Sequence, residues 1–382
     1  MSNDTAFIAA LERADVPGAV ALITNAGETT YHRAIGLADA PGGVAMQPDT
    51  LFQIASMTKA IVSTAALQLV ERGVLALDAP LGDLLPELAA PQVLEGFGED
   101  GTPQLRPART AITLRHLLLH TSGCGYVFKD AALLRYVMAT GMAAPGSRAS
   151  LNLPLLADPG ERWEYGVSTD WVGLAIEAAT GKTLGDYLAT ELTGPLGMAA
   201  TAFRGADTMP ADAAKVHRRD GSGGFATLPL VLGEGEYHSG GGGLTSTASD
   251  YARFLRMVLN GGELDGVRVL SPETADLLYH DALAPGLSAG IMGSAMPDLA
   301  GHYDPLPGQR GGWTLGGFLH NAEPVPNGGR SAGSLHWAGI FNCYYWIDPA
   351  RRQGGLLLTQ LAPFGDTGVL EAFAELQRLA AA

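Results

Sequence analysis

The stretch LFQIASMTKAIVSTAALQLVERG, residues 51–73, holds a single charge before Glu71, and that charge is Lys59. The surrounding residues are apolar or small, which predicts a buried helix that ends at Gly73, because glycine commonly follows the last turn of a helix. Burying an ammonium group is costly unless other groups accept its protons or the group becomes neutral. Lys59 therefore needs a partner within the fold.

Ser56 lies three residues before Lys59, and residues at this spacing share one helix face, with Cβ atoms about 5–6 Å apart. Apolar neighbours disfavour the charged ammonium, so a neutral Lys59 amine could take the proton of the Ser56 hydroxyl, and a serine nucleophile needs such a base. If Ser56 begins the helix, its N–H is one of the unpaired donors there. The alternative is that Ser56 caps the helix and Lys59 extends to the surface.

Composition excludes several classes of protein. The chain has 382 residues, enough for two packed domains, and with 47 % hydrophobic and 16 % charged residues it should be globular. A net charge of −15 argues against nucleic acid or an anionic membrane as a partner. The two cysteines and the absence of Cys/His ligand spacing suggest no disulfide framework, metal site or other cofactor. Without a signal-peptide pattern or membrane span, we expect a cytoplasmic protein; no pattern indicates its oligomeric state.

Strand patterns occur near both ends of the chain and helical patterns between them. A helix over Thr5–Ala14 precedes a hairpin that turns at residues 25–27, and the later strands are GGWTLGGFLHN, SLHWAGIFNCYYWIDP and QGGLLLTQLAP. The predicted fold class is α+β, an antiparallel sheet flanked by helices plus a helical domain. We expect residues 1–75 and 240–382 to form an α/β domain and residues 76–239 a mainly helical insertion.

Two other motifs resemble known functional motifs but lack the residues or elements that those motifs require. The run Gly240–Gly243 lacks the Lys-Ser/Thr of a phosphate loop, so it predicts a backbone that other groups approach closely. GRSAG, residues 329–333, matches the Gly-x-Ser-x-Gly elbow around Ser331, but that elbow needs a strand before it and a helix after it. Here a strand pattern follows and no acid separates Ser331 from His336, so we predict a loop serine and a non-catalytic strand histidine.

SMTK after TLFQIA resembles the Ser-x-x-Lys nucleophile motif of serine β-lactamases and penicillin-binding proteins. More closely, the chain resembles the family VIII carboxylesterases, esterases with a class C β-lactamase fold. The resemblance runs nearly end to end through VPGAVALI, PDTLFQIASMTKA, LLLHTSG, PGERWEYGVSTDWVGLAIEAATGKTLGDYL, PLGM, GGGGLTSTASDYARFLRMVLNGGELDGVRVLSPET and WIDP. It implies the β-lactamase/transpeptidase-like fold.

The resemblance also implies a catalytic tyrosine at Tyr165, in WEYGVSTDW. A phenol beside a serine and a lysine can relay the nucleophile's proton. From the residues alone, Tyr165 could equally be a packed tyrosine beside Trp163. β-Lactamases carry Asn two residues after this tyrosine, and Val167 stands there here, so a contact to a lactam amide is missing.

A third motif of β-lactamases, a Lys-Thr/Ser-Gly strand that binds the substrate carboxylate, is absent because none of the four lysines begins one. The matching strand is HWAGIF, where Trp337, Ala338 and Gly339 stand in place of the Trp-Gly-Gly common in the esterases. The resemblance implies that they bind substrate and that an apolar surface there suits a neutral ester. It also implies an oxyanion hole formed by the N–H groups of Ser56 and Ile340. From the residues alone, Trp337 is equally a core residue.

The resulting hypothesis is a serine carboxylesterase that hydrolyses short-to-medium acyl esters of small molecules through an acyl-enzyme intermediate. Ser56 would be the nucleophile, and Lys59 and Tyr165 would share the acid and base roles, with the base left open between them. The alternatives on the same fold are an acyltransferase, a D-amino-acid peptidase and a weak β-lactamase. A non-catalytic ligand-sensing or scaffold protein is disfavoured, because it has no use for all three groups.

Overall fold

The structure is a computed structural model that describes residues 4–233, 235–326 and 329–382. One-turn 3₁₀ helices occur at Ala55–Met57, Pro86–Leu88, Arg148–Leu151 and Ala206–Thr208. The α-helices of these ranges are α1 (Thr5–Ala14), α2 (Thr58–Glu71), α3 (Leu114–Leu118), α4 (Ala131–Thr140), α5 (Ser168–Thr180), α6 (Leu184–Glu191), α7 (Ala248–Leu259), α8 (Pro272–Asp276) and α9 (Thr367–Ala381).

The strands are β1 (Gly18–Asn25), β2 (Thr29–Asp39), β3 (Val44–Ala45), β4 (Phe52–Gln53), β5 (Gln92–Phe97), β6 (Pro103–Pro107), β7 (Ala202–Phe203), β8 (Val216–Arg219), β9 (Phe225–Leu228), β10 (Leu244–Ser246), β11 (Glu263–Leu264), β12 (Val267–Arg268), β13 (Gly311–Trp313), β14 (Leu319–Asn321), β15 (Ser334–Gly339), β16 (Cys343–Asp348), β17 (Gln353–Leu358) and β18 (Leu361–Ala362).

The main sheet joins the first strands of the chain to the last ones. Its eight strands lie in the order β13-β14-β15-β16-β17-β1-β2-β3, and every neighbouring pair is antiparallel. The α+β class and the antiparallel sheet flanked by helices are confirmed. Between residues 76 and 239 the structure has helices α3–α6 together with strands β5–β9. The division of the chain into two domains stays a prediction.

Helices cover both faces of the sheet centre. Residues 18–24 of β1 are all buried, so both sides of this strand are covered. Helix α7 packs on β1 and β17, while α9 packs on β17 and pairs with α1. Helix α7 also contacts β16, and β15 contacts the 3₁₀ turn that leads into α2.

The lysine-bearing helix is α2, and it is buried as predicted. Its residues from Thr58 to Leu69 are buried, it packs against α5, and it ends just before Gly73, whose φ of 70° lies in the left-handed region. Among the described residues, no helix combines the length and the apolarity needed to cross a membrane. The cytoplasmic location stays a prediction.

Candidate active site

Ser56 and Lys59 are in direct contact at the start of α2. Ser56 belongs to the 3₁₀ turn that runs into the helix, and the Lys59 Nζ lies 3.0 Å from the Ser56 Oγ. Lys59 is fully buried, and its nitrogen also lies 3.1 Å from the Tyr126 hydroxyl and 2.6 Å from the Gly241 carbonyl oxygen. The predicted pair is therefore present, and Lys59 does not extend to the surface.

These three contacts suit either protonation state of Lys59. An ammonium has three N–H donors, and three oxygen atoms surround this nitrogen. A neutral amine has two N–H groups and one lone pair, and the Gly241 carbonyl can only accept. The Tyr126 oxygen can accept the second N–H, which leaves the lone pair for the Ser56 hydroxyl proton. An amine that keeps its hydrogen bonds in both protonation states can accept a proton and release it again during a reaction.

The Gly241 carbonyl is held in place by Asp170 of α5. The Asp170 Oδ1 accepts hydrogen bonds from the Gly241 N–H at 3.0 Å and from the Ser239 hydroxyl at 2.6 Å. A Cβ on Gly241 would lie 2.4 Å from the Asp170 Oδ2, and one on Gly240 would lie 2.5 Å from the Thr169 carbonyl oxygen. The glycine run is thus a closely approached backbone, as predicted. Burial raises the pKa of Asp170, while the Lys59 charge opposes that shift.

Tyr126 is a site residue that the sequence did not reveal. It lies between α3 and α4, with its hydroxyl on Lys59 and its ring stacked on Phe128 at 5.0 Å between centroids. Burial, together with the nearby Asp170 carboxylate, raises the pKa of Tyr126 well above its usual value. The phenol therefore stays protonated at neutral pH, and its hydrogen is available to a group in the adjoining cavity.

Tyr165 is buried against Lys59, with its oxygen bonded elsewhere. The Lys59 Nζ lies 4.7 Å from the Tyr165 ring centroid, whereas the Tyr165 hydroxyl oxygen accepts a hydrogen bond of 2.9 Å from the Trp337 indole N–H. Among the described residues, no hydrogen bond joins this hydroxyl to Ser56 or Lys59. Trp337 thus orients Tyr165 and also lines the cavity, and its role in substrate binding stays a prediction.

An aromatic cluster surrounds the Tyr165 ring. Its ring centroid lies 4.8 Å from that of His120, 5.6 Å from Tyr126 and 5.0 Å from Trp337. Burial and two nearby lysines lower the pKa of His120 far below its usual value, so this histidine is neutral. It packs edge-on to Trp313 at 5.3 Å and supports the tyrosine without adding charge to the site.

The end of β15 lies directly beside the nucleophile turn. A Cβ on Gly339 would stand 2.5 Å from the Ile54 carbonyl oxygen, so only glycine permits this approach. Ala55, just before Ser56, has a φ of 47° in the left-handed region. The backbone N–H groups of Ser56 and Ile340 have no acceptor within the described ranges. Two free donors on adjoining segments are what an oxyanion hole requires.

A cavity of about 330 Å³ opens onto these groups. Ser56, Tyr165, Val167 and the segment from Trp337 to Ile340 line it, so the structure brings together the residues predicted from the sequence. Lys129 and Asp170 are the charged residues in its wall. The remaining lining residues are mostly apolar or aromatic, among them Phe128, Leu151, Leu232, Tyr237, Met292 and Phe364.

Ser331 and His336 lie outside the cavity, as predicted. Ser331 is in a loop before β15, and its N–H donates to the Asp348 carboxylate at 2.9 Å. His336 is a buried residue of β15 that contacts the Arg330 guanidinium at 3.3 Å. The Gly-x-Ser-x-Gly match therefore lies in a loop away from the cavity.

Fold and site together define a serine enzyme of the β-lactamase/transpeptidase type, and the chain belongs to the beta-lactamase family, whose model matches residues 3–380. It is similar to a monacolin J acid methylbutanoyltransferase of Aspergillus terreus, at 35% identity over 382 residues, 95% of this chain and 91% of the relative. It is also similar to a lovastatin esterase of Penicillium rubens, at 32% identity over 362 residues, 90% of this chain and 89% of the relative.

The fold is shared with a solved mutant of simvastatin synthase from Aspergillus terreus. The TM-score is 0.84 at 32% sequence identity, with 98% of this chain and 95% of that chain covered. The relatives include both an esterase and an acyltransferase. The chain is accordingly a β-lactamase-like serine hydrolase or acyltransferase.

Proposed function

We propose that the protein is a serine carboxylesterase that carries the acyl group of its substrate on Ser56. The observation that carries this proposal is the distance of 3.0 Å between the Lys59 Nζ and the Ser56 Oγ at the wall of a largely apolar cavity. A hydroxyl becomes an effective nucleophile when a base of this kind adjoins it.

In the first step, the Ser56 Oγ attacks the ester carbonyl carbon while its proton moves to the Lys59 Nζ. The geometry favours Lys59 over Tyr165 as this base, because the Tyr165 hydroxyl is engaged by Trp337. The carbonyl oxygen becomes an oxyanion, and the N–H groups of Ser56 and Ile340 stabilise it.

In the second step, the bond from carbonyl carbon to leaving oxygen breaks and the leaving alcohol takes a proton. Lys59 can return the proton it received, and the hydroxyl hydrogens of Tyr126 and Tyr165 are available on the same side of the cavity. Water then attacks the acyl-enzyme, with Lys59 again as the base. This releases the carboxylic acid and restores Ser56.

The cavity supports an apolar acyl group of short to medium length as the reacting part of the substrate. Its volume of about 330 Å³ and its aromatic wall offer burial for a small apolar chain. Trp337 takes the place of the cationic strand motif of β-lactamases, and Val167 replaces an amide side chain. Both features disfavour lactam and D-amino-acid peptide substrates.

A second candidate is transfer of the acyl group to an alcohol. The relative named methylbutanoyltransferase supports it, since this chain covers most of that protein. Both reactions share the acyl-enzyme and differ only in the acceptor of the acyl group.

A fluorophosphonate probe tests the nucleophile, and we expect mass spectrometry to find the adduct on Ser56. Ser331→Ala is the matched control and should label like the wild type. We further expect Lys59→Ala to lower kcat for a p-nitrophenyl ester at least ~100-fold. An adduct on Ser331, no adduct at all, or a normal rate in Lys59→Ala would refute the mechanism.

The acceptor is identified by supplying p-nitrophenyl butyrate together with a panel of alcohols. Hydrolysis gives butyric acid alone, whereas an acyltransferase gives the new butyrate ester in proportion to alcohol concentration. Nitrocefin in the same panel measures lactam hydrolysis, which we expect to be slow or absent.

A further inference from the structure

Lys129 lines the active-site cavity and has no ion-pair partner among the described residues. Lys129 is half-buried, and its Nζ donates a hydrogen bond of 3.3 Å to the Tyr165 carbonyl oxygen. The same nitrogen lies 5.0 Å from the Tyr165 ring centroid and 5.8 Å from that of Trp163. An ammonium can donate three hydrogen bonds, so its remaining donors lack protein acceptors among the described residues.

The nearest carboxylates are engaged with other groups. Glu164 forms an ion pair with Arg162 at 3.2 Å. Asp130 caps α4 by accepting hydrogen bonds from the N–H groups of Ala132 and Leu133 at 2.8 and 3.0 Å. Within the part of the chain that the structure describes, no carboxylate oxygen lies within 4.0 Å of the Lys129 nitrogen. A partly buried cation without a carboxylate partner favours the binding of an anion.

The electrostatic surroundings of Lys129 also favour the binding of an anion. Burial and the positive charge of Lys59 lower the pKa of Lys129 to about 8, while Glu164 and Asp130 partly offset them. Lys129 is therefore still mostly protonated at pH 7. Lys59 and Lys129 both lie near the Tyr165 ring. Once Lys59 holds the proton of Ser56, the two ammonium groups repel each other, and an anion in the cavity would relieve this repulsion.

We propose that Lys129 binds a carboxylate of the substrate, so that this enzyme acts on esters that carry a free carboxylate as well as the reacting ester. The inference rests on the proposed function of Ser56 and deepens it. The apolar wall near Trp337 receives the acyl group at the reacting end, while Lys129, between α3 and α4, holds the charged end. The strand cation that β-lactamases use is absent, and this lysine supplies a charge from another wall of the same cavity.

A matched pair of esters tests the proposal on the full-length protein. Mono-p-nitrophenyl glutarate carries a carboxylate on its acyl part, and its methyl ester has the same chain without the charge. We expect Lys129→Met to lower kcat/KM for the charged ester about tenfold more than for the methyl ester, mainly through KM. Lys129→Arg should retain most of the selectivity. Lys182→Met removes an exposed lysine near Glu191 and should leave both rates unchanged.

A carboxylate on the alcohol part is tested with 4-acetoxybutanoate and its methyl ester. A charge preference for this pair alone assigns the anion to the leaving alcohol, and a preference for the glutarate pair alone assigns it to the acyl group. Equal losses for the charged and the methylated member of both pairs in Lys129→Met would overturn the proposal.

Failure of the proposed function would give a different result. The wild type would then hydrolyse none of these esters, and the fluorophosphonate would not label Ser56. Binding of monomethyl glutarate, measured by calorimetry, remains informative in that case. Binding by the wild type and loss in Lys129→Met would support the anion site, and equal binding by both, or binding by neither, would overturn it.

Discussion

Replacing Gly339 by alanine should weaken the proposed oxyanion hole without changing the identity of Ser56 or Lys59. The new Cβ would stand 2.5 Å from the Ile54 carbonyl oxygen and 3.3 Å from the Cβ atoms of Ala55 and Cys343. Non-bonded heavy atoms prefer contacts of about 3.5 Å, so β15 and the nucleophile turn must separate by about 1 Å. The Ile340 N–H follows Gly339 directly and would move with it.

The size of the effect follows from what an oxyanion donor contributes. Removing one such donor lowers kcat by about 10²–10³-fold, and a displacement of about 1 Å can cost about 10²-fold. We therefore expect kcat for a p-nitrophenyl ester to fall about 100-fold, equivalent to about 2.7 kcal/mol of transition-state stabilisation. Overpacking at this position should also lower the free energy of unfolding by about 1–3 kcal/mol.

Steady-state kinetics and a thermal melt separate these two effects. Gly27→Ala is the matched control, because a Cβ there meets only the Asn25 Oδ1 at 3.5 Å, in the exposed turn between β1 and β2. It should keep wild-type kcat. A Gly339→Ala protein that melts cooperatively and also keeps wild-type kcat would show that the end of β15 supplies no oxyanion donor.

Three further changes test other groups of the site. Tyr165→Phe should lower kcat at least ~100-fold, and Trp337→Phe about tenfold, because it removes the N–H that orients the phenol. A full additional loss from Trp337→Phe in the double variant would contradict that coupling. Because the pKa of Lys129 is about 8, the preference for mono-p-nitrophenyl glutarate over its methyl ester should fall between pH 7 and pH 9, and a ratio independent of pH would contradict this.

Short-range sequence patterns predicted what depends on local geometry. The spacing of Ser56 and Lys59 placed both on one helix face, and the structure joins them at 3.0 Å. The hairpin turn after β1 and the glycine after α2 follow from turn and cap chemistry. The crowded glycine run was predicted as well, because no phosphate-loop pattern surrounded it.

The groups that complete the site come from distant parts of the chain. Tyr126 and Gly241 both contact Lys59, although they lie 67 and 182 positions from it. Tyr126 sits between two helices and has no periodic pattern around it, so nothing local distinguishes it from a surface tyrosine. The resemblance to the family VIII carboxylesterases implied a place for Tyr165 beside the serine and lysine, whereas its hydrogen bond to Trp337 depends on how the segment before α5 packs against β15.

Lys129 shows a different limit of sequence reasoning. Because no lysine begins the Lys-Thr-Gly strand motif, the sequence suggested a cavity without a cation. Lys129 instead supplies a positive charge from another wall of the cavity. Only the folded structure shows that the neighbouring carboxylates of Glu164 and Asp130 are already engaged.

Strands β15–β17 come late in the chain and complete the main sheet by pairing with β1, which has a consequence for the protein during its synthesis. A growing chain makes Ser56, Lys59, Tyr126 and Tyr165 long before the ribosome reaches Trp337 and Ile340. Until β15 docks beside the nucleophile turn, Ser56 lacks the Ile340 N–H, one of the two donors of the proposed oxyanion hole, and Tyr165 lacks the indole N–H that orients it. We therefore expect the proposed activity of Ser56 to arise only after β15 has been synthesised and has docked.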